Sequence, residues 1–462
     1  MSIVTSSQDK PALLRQLGIV SATALVVSNM IGVGIFTTTG FLAGDLGSPS
    51  MVLLIWVAGA IAALAGAFCY SELGINFPSS GGEYVYLTRA FGPTWGFVDG
   101  WVSFLAGFSA PIAAASLAFA SYLAFFFPWA DPANSPYLVG SGTLGLRFGG
   151  AQLLACGLIA TFTLLNFFGV SRVAKIQNVL TTTQLVVVLS FVAFGFWLGT
   201  GNWQHFSMPA ARTSTTPLYL QFGISLFFIY ASYSGWNAAT YVAEELRQPA
   251  RTLPIALTIG TVLVTAIYVG LNMVFIYGAP LEDMKGVVAI GSLAARRLFG
   301  PGIAGLYSAL MALSLVSTVN AMVTIGPRVY YAMAKNKAFF AVAARVNRRW
   351  HTPVVAIVCQ GLCAMLLTLT PFANLLQYFG YTLNFFAVMA VSSLFIFRRR
   401  PEWQKLRVVS FAWPLMPSLF LLIGLWTAVI GFWLEPKISS AAVLTVVTGA
   451  LIYHFRIKRR AG

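Results

Sequence analysis

The chain has 462 residues, of which 58% are hydrophobic and only 9% charged, and its formal net charge is +16. A soluble domain carries about 25% charged residues, and a single soluble core stops growing well below this length, so the apolar excess, with a mean hydropathy of +0.80, faces lipid. The basic residues lie in short loops between apolar runs rather than on one face, which points away from nucleic acid and toward membrane orientation.

A membrane-crossing helix needs about 20 apolar residues. Twelve such runs are predicted in chain order. Five lie near 17–41, 52–73, 95–127, 151–169 and 176–198, and five near 218–243, 253–277, 302–334, 354–370 and 372–397. Two more follow near 409–433 and 441–455. The third and eighth exceed a bilayer and must tilt or protrude. The stretch 289–298 reads as a short surface helix over the mouth of the protein. Nothing resembles a cleavable signal peptide, because the first apolar run continues into Phe36 without a small-residue cleavage pattern.

Charge sets the sides. With Lys10 and Arg15 inside, the even-numbered runs end inside at loops carrying Arg89, Arg172, Lys175, Arg247, Arg251, Arg328, Lys335, Arg345, Arg398, Arg399 and Arg400. The opposite side keeps Arg147, Arg212, Lys285, Arg296, Arg297 and Lys437, nearly cancelled by Asp45, Asp131, Glu282, Asp283 and Glu435. The positive-inside rule then makes both termini cytoplasmic in a multi-pass protein of the cell (inner) membrane. Cys69, Cys156, Cys359 and Cys363 fall inside the runs and read as buried, reduced thiols.

Two runs are interrupted. Asn29-Met30-Ile31-Gly32-Val33-Gly34-Ile35-Phe36 puts two glycines in mid-membrane, and Tyr230-Ala231-Ser232-Tyr233-Ser234-Gly235-Trp236-Asn237 puts small and polar residues there. Glycine alone is ordinary in membrane helices, where it permits close packing. Correspondence changes the reading. The breaks lie five runs apart, so the two helices cross in opposite directions, and paired interruptions in inverted halves point to a transporter's substrate site. Unwinding frees main-chain groups that are tolerated only where they line a cavity or meet a ligand. The half-helix after a break offers N–H groups and a positive dipole end to a carboxylate. The half before it ends in carbonyls suited to an ammonium. No charged residue lies in the middle of any run; Glu72, Asp99, Glu244 and Glu245 sit near inner ends. Intramembrane charges mark functional sites, so their absence favours neutral, zwitterionic substrates.

At these residues the chain resembles the amino acid–polyamine–organocation superfamily, and within it the L-type amino-acid transporter-like permeases. Gly32-Val33-Gly34-Ile35-Phe36 is similar to the family's GSGIF element. Pro78-Ser79-Ser80-Gly81-Gly82-Glu83-Tyr84 looks like its inner loop between the second and third spans. Ser234-Gly235-Trp236-Asn237 with Glu244-Glu245 and Pro249-Ala250-Arg251-Thr252-Leu253-Pro254 resembles the sixth span and its exit, and Ser317-Thr318-Val319-Asn320-Ala321 with Gly326-Pro327-Arg328 the eighth. Four motifs in order are specific where each alone is weak.

The resemblance implies an all-α membrane protein of about twelve transmembrane helices, a LeuT-like five-plus-five inverted repeat plus two C-terminal helices. The expected divisions are a cytoplasmic N-terminus at 1–16, repeats at 17–198 and 199–397, and a C-terminal pair with its tail at 398–462. It implies alternating access around a midplane site. The amides of Gly32, Val33 and Gly34 would hold a carboxylate. Carbonyls near Met30, Ile31, Ala231 and Ser234, with Gly235 at the turn, would take the ammonium, while Trp236 and Asn237 brace the unwound segment.

Two departures from the family pattern matter. The external gate of relatives is often phenylalanine; here the matching position is Ala231, flanked by Tyr230 and Tyr233. Either tyrosine acts as the lid, or both merely pack and the pocket is roomier. Many relatives carry a lysine on the fifth span where this chain has Gln184, and glutamine cannot titrate. Gln184, Ser317 and Thr318 then form either a sodium site, since hard cations prefer oxygen, or a closed hydrogen-bond network, the reading favoured because polar side chains commonly tie membrane helices together.

The expected function is secondary transport of neutral L-amino acids, by exchange or coupled uptake. A carrier of cationic amino acids or polyamines would need a pocket carboxylate. A non-transporting sensor on the same fold is the other alternative. A channel needs repeated filter elements, and no catalytic or metal-binding cluster, cofactor motif or phosphate loop is seen. The loop 128–150 has no cysteine, so no disulfide-linked heavy chain is expected. The expected partners are the amino-acid substrate and membrane lipid.

Overall fold

The computed structural model describes residues 17–78, 81–140, 145–168, 170–335, 338–347, 349–350 and 352–458, without the side chains of 170–174. Lys10 and Arg15, on which the sidedness expectation partly rests, lie outside the described residues, as do Ser79 and Ser80 of the inner-loop motif. The described chain is helical almost throughout. In order, the segments are Ile19–Met30 with Val33–Leu46 (first), Pro49–Asn76 (second), Pro93–Leu123 (third), Gly150–Phe168 (fourth), Lys175–Trp197 (fifth) and Leu218–Tyr233 with Ala238–Glu245 (sixth). Then come Pro249–Gly278, Ile290–Lys335, Val354–Leu367, Phe372–Phe397, Leu415–Leu434 and Pro436–Ile457 (seventh to twelfth).

Among the described residues, nine helices are long and apolar enough to cross a membrane, or ten with the first, bent pair counted as one. The expected count of twelve is not established. The remaining two segments are short, 16 residues before the sixth segment's break and 14 in the ninth. The protein is an all-α, multi-pass membrane protein.

Local chemistry explains where these helices begin and bend. Proline occupies the first turn of the second, third and seventh segments, where its missing N–H would have had no partner. In the third, Pro111 would press its ring on the preceding turn; the turn Ser103–Ser109 just before it is widened to a π-helix. The eighth contains a kink at Gly300, with φ of 79°. The arm before it carries the expected surface helix of 289–298, but Ile290, Ala294, Ala295 and Leu298 are buried, so it is packed down rather than lying free. A two-stranded hairpin, Tyr137–Val139 against Leu146–Arg147, caps the loop before the fourth segment, with Tyr137 opposite Arg147.

The second segment packs on the seventh, the third on the eighth, and the first on the seventh and sixth. One end of the bundle is clasped by main chain: Leu17 N donates to Glu245 O at 2.9 Å and Arg247 N to Leu17 O at 3.0 Å. This ties the start of the first segment to the end of the sixth. At the same end Glu72, fully buried, receives Arg398 through both carboxylate oxygens at 2.6 and 2.5 Å, Trp403 Nε1 at 2.8 Å and Leu406 N at 3.1 Å. All four described cysteines are free, but only Cys69 is buried as expected; Cys156 and Cys363 are half-buried and Cys359 is exposed.

Breaking a buried ion pair from one side leaves an uncompensated charge and costs about 3–5 kcal/mol. Glu72→Ala is therefore expected to lower the thermal unfolding midpoint of the detergent-solubilised protein by many degrees, and an unchanged melting curve would contradict the assigned role of this cluster.

Candidate functional site

The two predicted breaks are present and face each other. The first segment ends its initial helix at Met30, passes Ile31 (ψ 101°) and Gly32 (φ −146°, ψ −156°) in extended form, and restarts at Val33, bent by 42°. The sixth ends its helix at Tyr233, passes Ser234 (ψ 140°) in extended form and Gly235 at φ 99°, and resumes as a 3₁₀ run at Ala238. A φ of 99° is one that side-chain-bearing residues rarely adopt.

The glycines let each break approach the other helix. A Cβ on Gly34 would stand 2.3 Å from Ser232 Oγ, and one on Gly235 would stand 2.6 Å from Asn29 O. Each helix therefore cedes its side chain to the other's backbone. Gly32 differs, because a Cβ there meets Thr318 at 3.6 Å and Met30 O at 3.8 Å, both ordinary van der Waals contacts.

The freed polar groups divide into satisfied and open ones. Tyr268 of the seventh segment donates its hydroxyl to Met30 O and Ser232 O, at 2.5 and 2.8 Å. One proton serves one acceptor at a time, so this phenol links both breaks at a single point. Gln184 Nε2 donates to Ile31 O at 2.7 Å. Thr38 Oγ1 and Ser232 Oγ share a bond of 3.0 Å across the pair. The N–H groups of the turn that begins at Val33 have no intrahelical acceptor, and no side chain caps that turn. Donors remain open at the restarted helix, therefore, while Met30 and Ile31 carbonyls already hold one side-chain donor each.

The expected cluster of Gln184, Ser317 and Thr318 does not assemble as one unit. Ser317 instead meets Gln177 Nε2 at 3.1 Å and Thr181 Oγ1 at 3.4 Å, and Gln177 accepts from Asn320 at 2.7 Å. Gln177 and Gln184 lie two helical turns apart on the fifth segment, so the eighth reaches the lower one while the upper one reaches the first break. Thr318 Oγ1 is buried without a hydrogen bond near Gly32.

Both gate tyrosines are held by neighbours. Tyr233 donates to Trp56 O at 3.0 Å and packs its ring against Tyr268, centroids 5.1 Å apart; Tyr230 faces Thr427 of the eleventh segment. Ala231 lies buried beside them. Trp236 sets its ring edge-on to Tyr70 at 4.7 Å, and Asn237 Nδ2 donates to Glu83 Oε1 at 3.1 Å. Away from the clasp, Phe41 stacks on Phe228 at 5.3 Å and on Phe372 at 6.0 Å. Phe41 and Phe228 also line a cavity of about 440 Å³ bordered by Asp45, Lys285 and Glu435.

Sequence reasoning missed Tyr268, the phenylalanine layer, and Tyr122, which donates to Phe36 O at 2.7 Å. A lone phenol inside an apolar run was the available signal for Tyr122 and Tyr268; the phenylalanines had none.

Two interrupted helices, crossing with their main chains in contact inside a helical membrane bundle, define a secondary-transporter architecture. The amino acid permease profile matches residues 17–453, and the chain belongs to that family, within the amino acid–polyamine–organocation superfamily. It is 28% identical to the serine/threonine exchanger SteT of Bacillus subtilis, over 97% of this chain and 98% of the relative. It is 27% identical to the mouse large neutral amino acids transporter small subunit 2, covering 96% and 81%. The mouse b(0,+)-type amino acid transporter 1 is 27% identical over 96% and 88%.

Gly235→Ala forces a left-handed conformation costing about 1–2 kcal/mol and drives a methyl into Asn29 O. Substrate binding by that variant is expected to fall at least tenfold; wild-type affinity by titration of the purified protein would contradict the close approach. Tyr268→Phe leaves buried carbonyls unpaired, at about 1–3 kcal/mol, and is expected to lower both thermal stability and substrate affinity.

Proposed function

We propose that this protein is a secondary transporter that moves neutral L-amino acids across the membrane by alternating access, as an exchanger or coupled uptake system, with the substrate's α-carboxylate on the amides of Gly32, Val33 and Gly34. The ammonium lies against the carbonyl side of the breaks, near Met30, Ile31, Ala231 and Ser234. The observation that carries this reading is the uncapped helix start at Val33, opposite Ser232. No charged residue occurs at 29–36 or 230–237, so recognition falls to main-chain dipoles, which suit a zwitterion. The named substrates of the relatives, serine, threonine and large neutral amino acids, share the α-amino and α-carboxyl groups and differ in the side chain.

The five-plus-five repeat at 17–198 and 199–397 fits the placement of one break in each half. Both termini are assigned to the cytoplasm of a cell (inner) membrane on loop charge, which makes the Leu17–Glu245 clasp the inner end. With no cysteine at 128–150, the carrier is read as working without a disulfide-linked partner. Gln184 supplies a neutral, permanent donor to Ile31 O, so the first break needs no cation there, which favours exchange without sodium.

Proteoliposomes loaded with unlabelled alanine, serine or leucine are expected to accumulate the same labelled amino acid by counterflow, equally with and without sodium. Binding without counterflow would identify a sensor instead. Gln184→Lys places a titratable cation against Ile31 O and is expected to make counterflow pH-dependent while leaving the order of substrate preference intact; unchanged pH behaviour would remove Gln184 from the coupling position.

A further inference from the structure

Beneath the second break, at the clasped end, lies a group of ionisable side chains that substrate recognition does not use. Glu83 opens the helix Glu83–Phe91, is 8% exposed, and accepts hydrogen bonds from Tyr70 and from Asn237 Nδ2. Asp99, on the third segment, is 6% exposed, and among the described residues its carboxyl makes no hydrogen bond or ion pair; its electrostatic neighbour is Glu83. The phenols of Tyr70, Tyr84, Tyr86 and Tyr241 face the two carboxyls from the second segment, from Glu83's own helix and from the sixth segment. Among the described residues no cation pairs with either carboxyl; Arg398 pairs with Glu72. The N-terminus of its helix favours a charged Glu83, but burial outweighs it and holds the Glu83 carboxyl above the usual carboxylate range.

Two like charges buried together cannot both ionise cheaply, and such a pair keeps a proton in common. The pair also touches the segment that follows the second break. Asn237 follows the break directly, and the segment it begins ends in the Leu17–Glu245 clasp.

We propose that Glu83 and Asp99 form a shared proton-binding site that latches the inner end of the sixth segment, holding a proton while that end is closed and releasing it to the adjoining water when it opens. Opening draws Asn237 away from Glu83, which removes a hydrogen bond favouring the charged form, but it also hydrates the carboxyl; burial is the larger effect, so its relief lowers the proton affinity. By linkage, acid on that side favours the closed form. The site deepens the transporter reading only in the opening step; the proton site itself stands apart from it.

The test uses the full-length protein in detergent and in proteoliposomes. Infrared difference spectra between mildly acidic and mildly alkaline buffer are expected to show a protonated-carboxyl band, absent in Glu83→Gln and displaced in Asp99→Asn. Acidifying only the clasped side is expected to slow alanine counterflow by up to about tenfold per pH unit. Glu83→Gln keeps the acceptor for Tyr70 and is expected to remove this slowing; Asp99→Asn carries the test if that variant does not fold. A carboxyl band unchanged in both variants overturns the site, whether or not transport occurs. Normal counterflow that ignores acid on that side overturns the latch and leaves the carrier standing. Absence of counterflow with the band present removes the carrier reading instead.

Discussion

A main-chain N–H or C=O inside a bilayer must find a partner within the protein, and the rest of this structure is arranged around the two places where the helical ladder stops supplying one. At Ile31–Gly32 and at Ser234–Asn237 the backbone runs non-helically. Gln184 reaches in from the fifth segment to Ile31 O, and Tyr268 from the seventh to Met30 O or Ser232 O, one at a time. The donors of the turn that restarts at Val33 have no such side chain. On the proposed reading, that asymmetry, acceptors partly filled and donors open, suits a carboxylate at one end.

Packing then converts the local chemistry into a mechanism. Gly34 and Gly235 bring the breaks into van der Waals contact, so a ligand proposed to sit on one main chain lies against the other. The two ends are closed by different physics. Phe41, Phe228 and Phe372 close one by aromatic stacking, which separates without leaving polar groups unpaired. Leu17, Glu245 and Arg247 close the other by hydrogen bonds, supported by Asn237 on Glu83. On the proposed reading, alternating access exchanges one closure for the other about a fixed pair of breaks.

Much of this was legible in the amino-acid order. Apolar runs of membrane length located the helices, and glycines with small polar residues inside two of them located the breaks to within a residue or two. Partners across the bundle were not legible. Gln184 stood out as a neutral residue where the family resemblance leads to an expectation of lysine, yet its bond to Ile31 O depends on which turn of the fifth segment faces the first. The same ambiguity put Ser317 with Gln184 rather than with Gln177. Phe41, Phe228 and Phe372 are phenylalanines among many, and only three-dimensional packing separates a gate from a lipid-facing ring. Tyr230 and Tyr233 drew attention as flanking residues, but their hydroxyls face the second and eleventh segments.

The central claim is that exposed main-chain groups at Gly32–Gly34 and near Ser234 together hold both charged ends of one zwitterion. Competition by a matched series, L-leucine, its methyl ester, its N-acetyl derivative and the corresponding amine, against one labelled neutral amino acid tests it most directly. Loss of either charged end is expected to weaken binding by about a hundredfold, as for charge-assisted hydrogen bonds worth about 1.5–3 kcal/mol each, while changes in the aliphatic side chain act in small steps. Equal competition by the ester or by the amine would contradict the account.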